Sequence, residues 1–294
     1  MKHFLEVDDL TPAELTQVLD LSEQADVPQV LAGKGVALVF EKPSLRTRNS
    51  SEMAVVQLGG HPVTIGAAEV GLGVRETPED VVRTLAGYHS VVAARVFEHE
   101  KLERMAGLDV VPVINLLSDL AHPVQALADL LTIRQHFGSF EGRTVAYVGD
   151  PNNVSRSLSI GAALTGMVVR ITSPADYPNP EVDTDHVRAL GGTIELTDRP
   201  AEAVAGAHVV YTDVWASMGK EDEAEARRRA FEGYTIDSAL LAGAAPGAVL
   251  LHCLPAHRGE EVSAELFESE RSLVWQQAQN RMHTMRGLLA FLLS

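Results

Sequence analysis

Apolar runs rich in β-branched residues alternate with stretches of helical periodicity along most of the chain. Most of these runs are continuous, a pattern typical of parallel strands that are buried on both faces. They predict strands at Gly35–Glu41, Val91–Phe97, Val110–Asn115, Thr144–Gly149, Met167–Thr172, Thr193–Leu196, His208–Asp213 and Val249–Leu254. The stretches between them predict helices near residues 11–24, 47–58, 78–88, 123–137, 153–165, 221–231 and 275–292. This order predicts an α/β fold with doubly wound parallel sheets, which bind ligands at the carboxyl ends of their strands.

The chain is long enough for two such domains. Its 294 residues allow two separate cores. The segment Gln135–Arg143 follows a predicted helix, precedes a new strand and contains Gly138 and Gly142, so the domain boundary is predicted there. We therefore expect a first domain over residues 1–134 and a second over residues 135–274, with the last helix, in residues 275–294, packing back onto the first domain.

The composition limits the classes of function. A net charge of −16 argues against nucleic acid and anionic membranes as partners, because both bind basic surfaces. No apolar run approaches the roughly 20 residues of a membrane span, and Met1–Glu6 does not begin like a signal peptide. The single cysteine, Cys253, excludes an internal disulfide and a multi-cysteine metal site. These features predict a cytoplasmic protein. In so acidic a chain, a phosphate-containing substrate needs a local cluster of cations, for which the candidates are Arg46, Arg48, Arg95 and Arg281.

A candidate anion site lies in Phe40–Arg48. Pro43 ends a predicted buried strand, and a helix is expected to begin after Ser44, where the N–H groups and the dipole of the first turn attract anions. Ser44 and Thr47 add hydroxyl groups, and the Arg46 guanidinium can bind phosphate oxygens through two hydrogen bonds. The alternative is a capped helix with solvated arginines, and for Ser44 alone this alternative is preferred.

A second candidate segment is His122–Asp129. Pro123 suits the first position of a helix, which places His122 at the cap and Gln125 in the first turn. Imidazole and carboxamide groups are good hydrogen-bond donors to a polarised carbonyl oxygen. A capping histidine and an exposed glutamine explain the segment equally well by themselves.

Two predicted strand ends in the second domain carry polar groups. The segment Val148–Val154 is a strand–turn–helix without the G-x-G-x-x-G sequence, so bound NAD is not expected. Either Asn152 or Asn153 caps the helix or binds the polar end of a second substrate. Asp213 ends an apolar strand, where a carboxylate needs solvent or a cationic partner such as an amine. The charged run Lys220–Arg229 is predicted to be a solvated helix without a function.

The segment Leu251–Glu261 contains the only cysteine. A metal site formed by His252, Cys253 and His257 is disfavoured, because adjacent residues at a strand end are poorly spaced for shared coordination. A nucleophilic Cys253 would need a base and an orienting group, which the sequence does not place, so a buried thiol is the default interpretation. The sequence also lacks the P-loop, H-E-x-x-H and G-x-S-x-G motifs.

Taken together and in this order, these segments resemble the aspartate/ornithine carbamoyltransferase family. The first signature is Ser44-Leu45-Arg46-Thr47-Arg48, followed by Arg95 and by His122-Pro123-Val124-Gln125. The second signature is Asp213–Gly219 together with His252–Gly259. The resemblance covers essentially the whole chain. Its Ser-Met-Gly and His-Cys-Leu-Pro pieces point to ornithine as the acceptor within the family.

The resemblance implies a site for two substrates in the cleft between two domains, with neither a metal nor an organic cofactor. The groups implied to bind carbamoyl phosphate are Ser44, Leu45, Arg46, Thr47, Arg95, His122, Gln125, Cys253, Leu254 and Arg281. Those implied to bind ornithine are Asn153, Asp213, Ser217 and Met218. The residues implied in catalysis are Arg46, His122, Asp213 and Cys253. By the same resemblance, the Leu254–Pro255 peptide bond is expected to be cis.

The implied reaction moves the carbamoyl group of carbamoyl phosphate to the δ-amine of ornithine, giving citrulline and phosphate in arginine metabolism. The amine must be neutral to attack, although a free alkylamine is protonated at neutral pH. Which group takes its proton stays open. The oxyanion of the tetrahedral intermediate would develop where Arg46, Thr47, Arg95 and His122 can donate hydrogen bonds.

The resemblance also implies an assembly and leaves two rival functions. The family's assembly implies a homotrimer or a multiple of trimers, and Gly66–Glu76 aligns with a loop that reaches a neighbouring subunit's site. One rival is a different acceptor, namely N-acetylornithine, putrescine or aspartate. Aspartate is disfavoured because Asp213 would repel its carboxylates, and Ser217–Gly219, a loop expected to close on the substrate, favours a free amino-acid end. The other rival is a catalytically silent subunit that binds carbamoyl phosphate.

Overall fold

The computed structural model describes residues 1–216 and 221–294 of the chain. These residues separate into two compact units. The first consists of Met1–Ala128 and Gln279–Ser294, and the second of Asp129–Ala278. Each unit is built on its own parallel sheet, so the predicted α/β class with two parallel sheets is confirmed. Residues 135–143, where the sequence predicts a boundary, lie within the second unit.

The first unit contains a four-stranded sheet in the order β2-β1-β3-β4, in which every neighbouring pair is parallel. Its strands are β1 (Gly35–Phe40), β2 (His61–Gly66), β3 (Val91–Arg95) and β4 (Val113–Leu117). Strand β2 was not predicted, because it is an edge strand whose side chains are only half-buried and it contains Pro62. Proline is tolerated on an edge, where its missing N–H removes no hydrogen bond of the ladder.

Helices cover the first sheet and bury its apolar side chains. They are α1 (Pro12–Glu23), α2 (Leu45–Gln57), α3 (Ala67–Val70), α4 (Pro78–Ala86) and α5 (His99–Ala106), preceded by a 3-10 turn at Val7–Asp9. Val39 and Val92 of the strands pack in one core with Val82 and Leu102 of the helices. The carboxyl ends of β1 and β3 therefore project from a rigid support.

The second unit contains, in its described part, a five-stranded parallel sheet in the order β7-β6-β5-β8-β9. Its strands are β5 (Thr144–Val148), β6 (Val168–Thr172), β7 (Thr193–Thr197), β8 (Val209–Thr212) and β9 (Val249–His252). The strand order reverses direction at β5. Open α/β sheets bind ligands beyond the carboxyl ends of the strands at such a reversal, which here are β5 and β8.

The remaining helices include two long ones, α6 (Pro123–Phe137) and α13 (Val274–Leu292). The others are α7 (Asn153–Thr165), α8 (Glu181–Ala189), α9 (Pro200–Val204), α10 (Ala224–Ala230), α11 (Ser238–Ala242) and α12 (Ala264–Phe267), with a 3-10 turn at Glu221–Glu223. None of the helices formed by residues 1–216 and 221–294 combines the length and apolar character that a membrane crossing requires.

The prediction for α10 holds for most of its described residues but is wrong for Arg227. The charged run Lys220–Arg229, of which Lys220 lies outside the described residues, was predicted to be solvated, yet Arg227 is only 4% exposed. Its guanidinium lies 2.7 Å from Asp150 Oδ1 and donates to the Trp215 carbonyl oxygen at 3.1 Å, and it stacks over Tyr177. A buried arginine is stable only with such partners, and a hydropathy pattern does not reveal them.

Candidate active site

The amino end of α2 forms one part of the candidate site. Ser44 is the N-cap, and its hydroxyl accepts a hydrogen bond from the Thr47 N–H at 3.4 Å. The capping interpretation of Ser44 is thus confirmed. The Leu45 side chain is apolar and 76% exposed, so only the main chain of this residue can bind an anion at this helix end. The Arg48 side chain binds Glu52 at 2.8 Å on the surface, whereas Arg46 is half-buried.

A buried arginine connects this helix end with α6. Arg281 of α13 donates from Nη2 to Thr47 Oγ1 at 3.0 Å and from Nη1 to Gln125 Oε1. The same Nη1 lies 3.3 Å from His122 Nε2. Because a guanidinium can only donate, Nε2 accepts and the proton of a neutral His122 is on Nδ1. The structure therefore brings together Thr47, His122, Gln125 and Arg281, as predicted for one binding site.

His122 and Arg281, together with Arg46 and Arg95, form what we call the cationic site. Arg95 ends β3, and burial together with the nearby charge of Arg46 lowers its pKa to about 10. Burial, followed by the charges of Arg281, Arg95 and Arg46, holds the pKa of His122 well below its usual value. His122 is therefore neutral at pH 7, and the potential around it is positive. A dianion such as a phosphate group would relieve this mutual repulsion.

The second part of the site lies beyond the carboxyl end of β8, and we call it the thiol–carboxylate site, defined by Asn152, Asp213 and Cys253. Asp213 Oδ1 accepts from the Val214 N–H at 2.8 Å and from Cys253 Sγ at 3.1 Å. Its other oxygen, Oδ2, accepts from Asn152 Nδ2 at 2.9 Å. Three donors thus satisfy a carboxylate at the end of a buried strand, which removes the cost that its burial would otherwise carry.

Asn152 has the capping role that the sequence left open between Asn152 and Asn153. It is the N-cap of α7, because its Oδ1 accepts from the Val154 and Ser155 N–H groups at 2.8 and 3.2 Å. Its amide nitrogen remains available to Asp213. The sequence left Asn152 and Asn153 open and the family motif favoured Asn153, whereas in the structure it is Asn152 that donates to Asp213. The signal that could have found Asn152 is its capping box with Ser155, which fixes the direction of the amide.

The turn after β5 needs glycine at this place. Gly149 has φ +142°, and a Cβ there would lie 3.2 Å from Thr212 Oγ1. A larger residue would press on the strand end that carries Asp213. The absence of a side chain at Gly149 therefore lets the two strand ends approach each other.

A buried acid holds the Cys253 loop. His252 Nδ1 accepts from the Leu254 N–H at 2.9 Å, so the opposite nitrogen, Nε2, donates to Glu261 Oε1 at 3.1 Å. The His257 N–H donates to the same oxygen at 2.6 Å. Leu254 has φ +64°, and the Leu254–Pro255 bond is cis, as expected. Nothing local in the sequence marks Glu261 as the partner of His252, so this role was not predicted.

The geometry corrects one argument about metal binding. Potential ligand atoms of Asp213, His252 and Cys253 lie within 4.8 Å of one another. The adjacent residues His252 and Cys253 can therefore converge, although adjacent residues at a strand end were expected to be poorly spaced for shared coordination. His257 lies instead with Glu260 and Glu261. Both ring nitrogens of His252 are already used in hydrogen bonds, which suits positioning of the loop. Two predicted site residues, Ser217 and Met218, lie outside the described residues.

Comparison with known proteins identifies the family. The carbamoyl-P binding domain of aspartate/ornithine carbamoyltransferase matches residues 2–135, and the Asp/Orn binding domain matches residues 141–292. The chain therefore belongs to the aspartate/ornithine carbamoyltransferase family, as its motifs predict.

Three similar proteins of this family are named ornithine carbamoyltransferase. The ornithine carbamoyltransferase of Acidothermus cellulolyticus is 48% identical over 302 residues, which cover 100% of this chain and 97% of that relative. The crystal structure of ornithine carbamoyltransferase from Thermus thermophilus is 44% identical, with a TM-score of 0.91 over 100% of this chain and 99% of that one. The ornithine carbamoyltransferase from Pyrococcus furiosus is 40% identical, with a TM-score of 0.94 over 99% and 96%.

Proposed function

We propose that this chain transfers the carbamoyl group of carbamoyl phosphate to the δ-amine of L-ornithine, giving L-citrulline and phosphate in arginine metabolism. The observation that carries the proposal is the cationic site, in which buried Arg281 binds Thr47, Gln125 and His122. Such a cluster in a chain of net charge −16 is a local attractor for a phosphate-containing substrate.

The phosphate group lies, in this proposal, at the amino end of α2. The Ser44 and Thr47 hydroxyls, the main chain of Leu45 and the guanidinium groups of Arg46 and Arg95 donate to its oxygens. The positive charge there also stabilises phosphate as it leaves. Carbamoyl phosphate is already an activated mixed anhydride, so the proposed reaction uses neither a metal nor an organic cofactor.

The carbamoyl group lies near His122, Gln125 and Arg281. A neutral His122 carries its proton on Nδ1, while Arg281 keeps its charge, and both favour the oxyanion that develops on the carbonyl oxygen. The main chain of Cys253 and Leu254 completes this part of the proposed site.

Ornithine presents its δ-amine to Asp213 and Cys253. The neutral nitrogen attacks the carbonyl carbon, a C–N bond forms and the C–O bond to phosphate breaks. In the overall balance the proton lost by the nitrogen leaves with the phosphate as the hydrogen phosphate dianion. Asp213 orients the amine by accepting a hydrogen bond from it, as it accepts one from the Cys253 thiol. Asn153, Ser217 and Met218 are assigned to the amino-acid end on the motif alone. Both substrates must be bound at once for the nitrogen to reach the carbon.

The wider assignments rest on the family resemblance. Residues 1–134 are proposed as the carbamoyl-phosphate-binding domain, with residues 275–294 packed on it, and residues 135–274 as the ornithine-binding domain. We also propose that the protein works in the cytoplasm as a homotrimer or a multiple of trimers.

An acceptor panel tests the function. Purified protein is incubated with carbamoyl phosphate and with ornithine, N-acetylornithine, putrescine or aspartate, and phosphate release is followed. Turnover with ornithine alone is the expected result. Turnover with another acceptor would overturn the assignment of the thiol–carboxylate site and leave the cationic site standing. Silence with all four would indicate a subunit that binds carbamoyl phosphate without turnover.

A further inference from the structure

A buried carboxamide holds the strand that leads to Cys253. Gln277 Oε1 accepts from the His252 N–H at 2.9 Å, and its Nε2 donates to Asp129 Oδ1 at 2.7 Å and to the Tyr211 hydroxyl at 3.1 Å. Gln277, Asp129, Tyr211 and His252 are all buried. Because the His252 main-chain N–H can only donate, the amide oxygen must face it, and the amide nitrogen then faces Asp129 and Tyr211.

This contact continues the pairing of an edge strand. Strand β9 is the last strand of the second sheet. On the side away from β8, Leu250 forms a bridge with Ser272, in a short segment after α12. Leu250 N–H donates to the Arg271 carbonyl, and Leu273 N–H donates to the Leu250 carbonyl. Two residues further on, the His252 N–H points to the same edge. The His252 N–H donates to the Gln277 side-chain oxygen, where a neighbouring strand would supply a main-chain carbonyl.

The position of that N–H bears directly on the thiol–carboxylate site. His252 is the last residue of β9, and the next residue, Cys253, donates its thiol to Asp213 at 3.1 Å. Glu261 holds the imidazole of His252, whereas Gln277 holds its main chain. Gln277 thus adds a main-chain restraint on the outer edge of β9, opposite the pairing of His252 with Thr212 of β8.

We propose that Gln277 is a positioning residue for Cys253. It fixes the end of β9 so that the thiol stays on the Asp213 carboxylate. It acts through the main chain of His252 and touches no reacting atom. The expected effect of Gln277 on turnover rests on the proposed function, in which the Asp213 carboxylate orients the amine. The expected effect on the position of the Cys253 thiol is independent of that function.

The test uses a side chain of similar shape without hydrogen-bonding groups. Gln277→Met removes the acceptor for the His252 N–H, and Gln276→Met is the matched control. Gln276 neighbours it and makes only a surface hydrogen bond, to Gln135 at 2.9 Å. Circular dichroism and thermal unfolding establish that each variant is folded.

The first readout is the chemistry of the only cysteine in the chain. We expect Cys253 to be alkylated by iodoacetamide roughly tenfold faster in Gln277→Met, the ratio that corresponds to one lost hydrogen bond. Gln276→Met is expected to react at the wild-type rate. Equal rates in all three folded proteins would overturn the proposal. Because alkylation needs no substrate, this result stands even if ornithine is not the acceptor.

The second readout is kinetic. An Asp213 carboxylate that has lost its hydrogen bond from Cys253 is held less firmly and binds the acceptor less well, so the KM for ornithine is expected to rise roughly tenfold in Gln277→Met with a smaller change in kcat. An unchanged KM together with faster alkylation would place the failure in the proposed function of the site. Unchanged values of both would overturn the inference about Gln277.

A second variant decides the matter if Gln277→Met does not fold. Gln277→Glu keeps an acceptor for the His252 N–H, but its other oxygen meets Asp129 and can donate only when protonated. The groups facing this position are Asp129 of α6, Tyr211 of β8 and His252 of β9. Two adjacent carboxyl groups share one proton at low pH and repel each other at high pH. The ratio of the variant's alkylation rate to the wild-type rate is therefore expected to increase between about pH 6 and about pH 8.5. A ratio that stays at one throughout would contradict the proposal.

Discussion

Cys253 donates its thiol hydrogen to Asp213 Oδ1 over 3.1 Å, although 40 residues separate them in the sequence. The same carboxylate accepts from Asn152 and from the Val214 N–H. An amine that binds here would meet a carboxylate whose orientation is already fixed, so little order would have to be gained on binding.

The charge of that carboxylate is the first property to test. Asp213→Asn keeps the shape and removes the charge, and we expect kcat/KM for ornithine to fall roughly 100-fold or more, since a charged hydrogen bond to the acceptor is lost. Steady-state phosphate release measures it. The control is Asp185→Asn, which alters an acid that is 65% exposed. A loss of less than threefold in Asp213→Asn would remove Asp213 from the acceptor site.

The two arginines of α2 provide a matched pair for the anion. Arg46→Met is expected to raise the KM for carbamoyl phosphate by roughly 100-fold, because a charged donor to phosphate disappears. Arg48→Met should leave that KM unchanged, since Arg48 binds Glu52 on the surface. The same pair can be followed by thermal unfolding in inorganic phosphate. Phosphate at 100 times its Kd adds about 2.7 kcal/mol to the unfolding free energy, and only the Arg48 variant should retain this gain.

His122 predicts a pH dependence of stability with a definite sign. Its pKa in the folded protein lies well below the usual value of about 6.5, because of burial and then Arg281. Between the folded pKa and about 6.5 the unfolded chain binds more protons, so stability rises with pH in that window and His122 contributes no slope above it. His122→Asn should therefore flatten the slope by up to about 1.4 kcal/mol per pH unit below pH 6.

Urea unfolding of both proteins between pH 4.5 and 8 measures that slope. The other histidines with lowered pKa, His89, His208 and His283, are present in both proteins and cancel in the difference. Parallel curves for the two proteins would show that His122 titrates normally.

The buried arginine of α10 predicts a loss of stability. Arg227→Met leaves Asp150 without its 2.7 Å ion-pair partner in a buried setting, which costs about 3 kcal/mol or more of unfolding free energy. Arg229→Met, two residues away on the surface, should change it by less than about 0.5 kcal/mol. Chemical denaturation compares the two, and equal values would mean that solvent screens the Arg227 pair.

The sequence predicted the buried strands and the chemistry at their ends, since apolar runs and polar strand ends are local signals. Asp213 was recognised because it follows an apolar run, and His122 because it precedes Pro123. Strand β2 was missed since an edge strand lacks a continuous apolar pattern. Helices α5 and α8 and the short helices α3, α9, α11 and α12 were missed because short amphipathic stretches resemble loops.

Contacts between distant residues could not be predicted in the same way. Arg281 was assigned by resemblance, but its hydrogen bond to Thr47 spans 234 residues. Buried polar partners such as Glu261 of His252 and Asp150 of Arg227 have no periodic signature, because burial is decided by tertiary packing. The same holds for Gln277, which differs from Gln276 only in the face of α13 that it occupies.

The first unit is discontinuous in sequence, and this has a consequence for the order in which the protein can fold during synthesis. Its cationic site needs Arg281, which belongs to the segment Gln279–Ser294 that follows the whole second unit. At ribosomal speeds of 5–20 residues per second, the early segment Met1–Ala128 waits roughly 10 to 30 seconds for that partner. The second unit is complete in the nascent chain first. A message cut short near its end would therefore yield a chain with an intact thiol–carboxylate site and a cationic site that lacks Arg281.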